Sequence, residues 1–166
     1  MVVALAASGC AASGATPQPF PTSARFPGSH DGSATPEPVP DGLPATGYDI
    51  SGTALALRGV PYRNGGADPD GFDCSGLVWY VFGRHGLPMP RTVEEQYRVG
   101  GAIPPSRLEA GDLVFFSTTS RGASHVGIMI GGDAFVHAPS SDGVVRVERL
   151  GSTYWAGRFI GARRVL

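Results

Sequence analysis

Cysteine, histidine and net charge are all scarce in this chain. Cys10 and Cys74 are its two cysteines, and its histidines are His30, His85, His125 and His137. No second spaced Cys or His pair accompanies them, so the ligand set of a structural zinc site is missing. The 13 basic and 14 acidic residues leave a net charge of −1. No run of Lys or Arg could follow a phosphate backbone, which argues against a nucleic-acid partner. Long apolar runs are absent too: the opening stretch 2–7 falls short of the roughly 20 residues a membrane span needs. At 166 residues, one compact domain fits and a second enzyme domain does not.

Glycine and proline, by contrast, are plentiful at 40 of 166 residues. Eight of the fifteen prolines fall within the first 45 residues, where no hydrophobic periodicity appears. Residues 11–46 therefore read as a Pro-rich disordered tether, and the folded domain is expected to span 47–166. Residues 1–10 read as the end of a signal peptide, although no positively charged region precedes the apolar stretch, so the true start is expected upstream of Met1. The run Ala6-Ala7-Ser8-Gly9-Cys10 resembles a bacterial lipobox, with Ala7 where Leu is preferred. Lipidation of Cys10 would tie the chain to a membrane. A plain signal-peptidase site and a Cys10–Cys74 disulfide are the other readings.

Hydrophobic periodicity then gives the coarse fold. Ile50, Ala54, Leu55 and Leu57 mark one face of a short helix over 48–58, closed by Gly59. Residues 60–71 read as loop. Asp73 caps a second helix with a broad apolar face (Leu77, Val78, Tyr80, Val81, Phe82), which ends over 83–86. Thr92 and Glu95 predict a capping box on one or two helical turns. Strands are expected over 113–116, 125–130, 134–137, 144–147 and 159–165, with Gly131-Gly132-Asp133 turning a hairpin. Helices first and neighbouring strands after predict an α+β domain, its helices packed on one antiparallel sheet.

Cys74 falls in the first turn of the second helix, where unsatisfied N–H groups and the helix dipole favour a thiolate. Without a base it would read as a small buried residue. His30 lies in the tether, and His85 suits a helix C-terminus. His125 and His137 remain, and a tight hairpin predicts that they face each other at about 5 Å between Cβ atoms. His125 could then take the Cys74 proton while His137 fixes its tautomer.

These residues carry a specific resemblance. Pro61-Tyr62 with Gly65-Gly66, Phe72-Asp73-Cys74-Ser75-Gly76-Leu77-Val78, Pro90-Arg91-Thr92, the run 111–116, Ser124-His125-Val126-Gly127-Ile128 and Phe135-Val136-His137-Ala138 resemble, in order and spacing, the NlpC family of bacterial cell-wall cysteine peptidases. The resemblance implies a compact papain-like fold with Cys74, His125 and His137 as the triad. It also implies a Tyr62 that lies against the nucleophile and shapes the oxyanion site, and an Asp73 and Ser75 that contribute to the substrate pocket. It assigns no role to Arg91. It implies hydrolysis of peptidoglycan stem peptides, typically between γ-D-glutamyl and a diamino acid, by a monomer needing no cofactor. The cell envelope is the implied location: the outer membrane if Cys10 is lipidated, the periplasm or exterior if the chain is simply secreted. An acyltransferase or transpeptidase with the same triad, or a wall-binding lipoprotein that does not cut, are the rival readings.

Overall fold

The computed structural model describes residues 44–141 and 143–166; Cys10 and the expected tether up to residue 43 lie outside them. The first helix, α1 (Gly47–Ala56), opens on a full capping box, with Thr46 accepting from the Asp49 N–H and the Asp49 carboxylate accepting from the Thr46 N–H. The expected loop over 60–71 contains a small hairpin, β1 (Ala67–Asp68) and β2 (Gly71–Phe72). Two-residue strands carry no alternation for periodicity to detect. Helix α2 (Cys74–Arg84) follows at once with Asp73 as its N-cap, and α3 (Val93–Gln96) is one turn capped by Thr92. Glu95 bonds the Thr92 hydroxyl rather than its backbone, so the reciprocal half of the expected box is a side-chain bond.

Six antiparallel strands form the sheet, in the order β3-β8-β4-β5-β6-β7: β3 (Gly101–Ile103), β4 (Leu113–Phe116), β5 (His125–Gly131), β6 (Ala134–His137), β7 (Arg146–Arg149) and β8 (Phe159–Arg164). The strand expected over 144–147 begins two residues later, because Val144 pairs instead with Pro61 in an isolated bridge. Period-two alternation divides the core. Leu113, Phe115, Val126, Ile128 and Val136 face α1 and α2, whereas Val114, Phe116, Met129 and Phe135 face a second cluster that includes Trp155 of the short helix α4 (Thr153–Ala156). All four β4 side chains are fully buried. At roughly 1.5–3 kcal/mol for each apolar side chain withdrawn from water, β4 is the natural centre of the sheet. The α+β class expected from the sequence holds.

Candidate active site

Helix α2 delivers Cys74 to the start of β5. Its first turn is shaped by close approaches that only glycine permits: a Cβ on Gly76 would stand 1.9 Å from the Gly66 carbonyl oxygen, and one on Gly66 would stand 2.3 Å from that of Gly71. The 60–71 segment thus lies flush against the helix N-terminus. Cys74 itself is half-buried, and N–H groups of Val126, Ser75 and Cys74 itself hydrogen-bond toward its sulfur.

The expectation of an acidic thiol is overturned. Burial and then the Asp73 carboxylate push the Cys74 thiol up to about 11, outweighing those three N–H donors. Helix-end polarity is worth of order 1 kcal/mol, less than the cost of a thiolate against a closed core and beside an anion.

Asp73 has several partners. Its Oδ1 accepts from the Gly76 N–H at 2.6 Å and from the Ser75 hydroxyl at 3.1 Å. Arg91 forks onto both of its oxygens, at 2.9 and 2.6 Å, and also donates to Ser75 Oγ at 2.9 Å and to the Gly66 carbonyl at 3.2 Å. Burial raises the Asp73 pKa, but the bonds from Arg91 and Gly76 more than offset it and hold the carboxyl below its usual range. Arg91, which sequence alone leaves without a role, therefore ties Asp73, Ser75 and the 60–71 segment together. Gln96, fully buried, secures the same turn from beneath, donating to the carbonyls of Ser75 at 3.0 Å and Pro90 at 2.8 Å. A glutamine on a one-turn helix offers no sequence signal of such a task. Tyr62 is half-buried, held by a bond from its N–H to the Gly143 carbonyl at 2.7 Å. Burial and the neighbouring Cys74 and Asp73 raise its pKa, so its phenol remains a donor.

His125 and His137 meet, but not by direct opposition. The ladder pairs Ile128 with Val136 and Met129 with Phe135, and a bulge at Gly131 leaves Gly132-Asp133 as the turn. That register places His137 opposite Gly127 and His125 one step along the diagonal. Diagonal neighbours still lie within reach of imidazoles, and His125 Nε2 stands 2.8 Å from His137 Nδ1. Gly127 makes room: a Cβ there would lie 2.4 Å from Phe135 Cδ2. Both rings are buried, His137 completely. Burial lowers the His125 pKa to about 4. Burial, then the charges of His125 and Arg146, pull His137 lower still.

Trp155 closes the site from the second face of the sheet. Its ring stacks on His125 (centroids 5.4 Å apart, planes at 23°) and meets the His137 ring edge-on at 4.9 Å. The one signal of it in the sequence is the pair of adjacent aromatics, Tyr154-Trp155, in an otherwise polar turn. His85 stands apart as the C-cap of α2, 2.7 Å from the Thr53 hydroxyl.

With this geometry in hand, the NlpC/P60 family model matches residues 59–164. The chain belongs to the NlpC/P60 family. It is 40% identical over 120 residues to a gamma-DL-glutamyl hydrolase of Bacillus subtilis, covering 70% of this chain and 29% of that protein. It is 46% identical over 110 residues to the murein DD-endopeptidase MepS/murein LD-carboxypeptidase of Escherichia coli strain K12, covering 66% and 57%. The crystal structure of an NlpC/P60 family protein from Bacillus cereus superposes with a TM-score of 0.70 at 32% identity, over 75% of this chain and 41% of that one. The chain thus spans between 29% and 57% of the length of these two curated relatives. The NlpC/P60 match starts beyond α1, which nonetheless supplies Ile50 and Ala54 to the core beneath α2.

Proposed function

We propose that this protein is a peptidoglycan hydrolase of the cell envelope, a thiol endopeptidase cutting stem peptides between γ-D-glutamyl and a diamino acid. The observation that carries this reading is the buried bond between His125 and His137, on the strand whose next N–H, that of Val126, reaches the Cys74 sulfur. Family membership adds weight, because relatives bear the names of murein endopeptidases and a gamma-DL-glutamyl hydrolase.

In this mechanism the resting site is neutral, since a thiol raised to about 11 and an imidazole lowered to about 4 do not exchange a proton spontaneously. The proton moves as the bond forms. For His125 Nδ1 to accept it, Nε2 must carry hydrogen and donate to His137 Nδ1, which is the task assigned to His137. The Cys74 sulfur attacks the amide carbon, and the Cys74 N–H with the Tyr62 hydroxyl receives the oxyanion. His125 then protonates the leaving amine. Water hydrolyses the resulting thioester and restores the thiol, so no cofactor is needed. Asp73 and Ser75, held by Arg91, would line the acyl side of the cleft. The domain would act as a monomer, with the Pro-rich segment ahead of the Thr46 cap serving as its tether and Cys10, once lipidated, as its anchor to the outer membrane.

Mass spectrometry of peptidoglycan fragments incubated with the full chain, beside its Cys74→Ala variant, tests this reading. New γ-D-glutamyl ends made by the unmodified chain alone are expected. Fragments left intact by both under reducing conditions would refute hydrolysis.

A further inference from the structure

A groove of about 340 Å³ opens beside the C-terminal half of α2. Trp79, Gly83 and Gly86 line it from the helix and its end, and Pro88 and Met89 line it from the segment that leads to Arg91. Among the described residues no charged side chain lines it. Trp79 is 44% exposed, a large area for an indole to leave in water. Gly86 is accounted for by its φ of +73°, just past the helix end. Gly83 is not. It lies inside the last turn of α2, where glycine weakens a helix relative to alanine, and a Cβ there would meet nothing within 4 Å. Packing within the domain does not call for that glycine, whereas an occupant lying beside Trp79 would.

The groove continues the acyl side of the cleft. Ser75, Trp79 and Gly83 follow one another at intervals of four on α2, so they form one row, and Ser75 is held by Arg91. The segment 86–91 keeps close to that row, because the Leu87 N–H bonds the Phe82 carbonyl and Gln96 donates to the carbonyls of both Ser75 and Pro90. At a rise of 1.5 Å per residue, Trp79 and Gly83 lie about 8 and 14 Å from Cys74 along the helix. On the mechanism proposed above, the acyl side receives the γ-D-glutamyl residue and then the amino end of the stem, where the peptide joins its sugar. Two residues and that link span roughly 10 Å, which carries the sugar to Trp79. The chemistry agrees. N-acetylated sugars whose acid group is taken up by the stem carry no charge, so they need no counter-ion from a lining that offers none. The C–H face of a pyranose can lie flat on an exposed indole, whose large apolar surface costs little conformational entropy to cover, and the bare floor at Gly83 leaves room for the ring's substituents.

We infer that the Trp79 groove is a docking site for the uncharged N-acetylated sugars of the strand that carries the stem. The inference rests on the hydrolase reading, but its test does not depend on turnover. The chain has two tryptophans, so in the full chain carrying Cys74→Ala their indole N–H signals give an NMR readout against the uncharged, peptide-free disaccharide of N-acetylglucosamine. The Trp79 signal, identified by its loss in Trp79→Phe, should move, and that of buried Trp155 should not. Calorimetry on the same chain then compares a stem peptide with and without its disaccharide, and the sugar-bearing form should bind about fivefold more tightly. Trp79→Ala should abolish that gain and leave the bare peptide's Kd unchanged. Gly83→Met, which fills the groove with a better helix former, should abolish it too with no loss of melting temperature. An unmoved Trp79 signal, equal binding of the two ligands, or a Trp79→Ala loss shared equally by both would overturn the site. Self-association of the full chain that Trp79→Ala removes, with no response to sugar, would overturn it in favour of a second copy as the occupant. A preserved gain in a chain whose Cys74 form cuts neither ligand would instead overturn the hydrolase reading and leave the sugar site standing.

Discussion

Replacing Trp155 probes how the histidine pair is held. The indole packs on five aromatic rings at once, His125, His137, Phe116, Phe135 and the adjacent Tyr154, with centroids 4.7 to 5.4 Å away, and is itself 5% exposed. Truncating so large a buried side chain costs roughly 3–5 kcal/mol, a large share of the roughly 5–15 kcal/mol that holds a domain together. The Trp155→Ala protein should therefore melt well below the parent yet remain folded in the cold. Its effect on the site is separable from that loss. Removing the cover lets water reach His125, so the imidazole pKa should rise from about 4 toward its ordinary value of 6.5. Freed to tilt, the ring should also lose alignment, and a misplacement of about 1 Å can cost on the order of a hundredfold in kcat/KM. Trp155→Phe keeps an aromatic platform and should recover most of both properties. Imidazole NMR titrations, run beside kcat/KM against pH on a stem peptide, give the readout. A folded Trp155→Ala variant with an unmoved His125 titration and kcat/KM within twofold of the parent would refute the idea that Trp155 positions the pair.

Four other outcomes follow from the same geometry. Arg91→Met strips Asp73, Ser75 and the Gly66 carbonyl of their shared donor and should cost about 2–4 kcal/mol in urea unfolding; a loss under 0.5 kcal/mol would show that the clamp is replaced by solvent. Gly76→Ala forces a methyl to within 1.9 Å of a backbone oxygen, which no rotamer change relieves, so the variant should lose several kcal/mol of stability or fail to accumulate; a melting temperature equal to the parent's would contradict the packing described. His125 is buried neutral with its pKa below that of the unfolded chain, so the unfolded state takes up the proton first. Stability should accordingly be complete above about pH 6.5 and decline as pH falls from there to about 4, by about 3 kcal/mol from His125 alone. Chemical denaturation across that range checks it, and the slope should flatten in a His125→Gln variant. Because only the thiolate alkylates, labelling of Cys74 by iodoacetamide should climb steadily between about pH 7 and 10. A rate already level at pH 7 would mean that a thiolate–imidazolium pair exists at rest.

Much of this molecule was written in local chemistry. Asp73 before Cys74 announces a capped helix with a cysteine in its first turn, because a short carboxylate there finds an N–H whatever the rest of the chain does. Leu113 to Phe116 and Ala134 to His137 read as strands because β-branched and aromatic runs between turn formers have few other homes. The pairing of His125 with His137 followed from their places on either side of one turn. The register within that hairpin did not, because the bulge at Gly131 and the ring of Phe135 over Gly127 are set by packing across the sheet. Nor could the ionisation of Cys74 be read from its position: helix polarity is local, whereas burial against the core beside β5 exists only in the folded chain and, with the charge of Asp73, dominates. Arg91 clasping Asp73 from 18 residues away, Trp155 laid across both histidines, and Pro88 and Met89 lining a groove with Trp79 are likewise products of topology. Sequence alone determined which residues could do chemistry and which elements carry them. Tertiary structure decided their protonation, their alignment and the shape of the site they face, since each of those depends on neighbours that the linear order keeps apart.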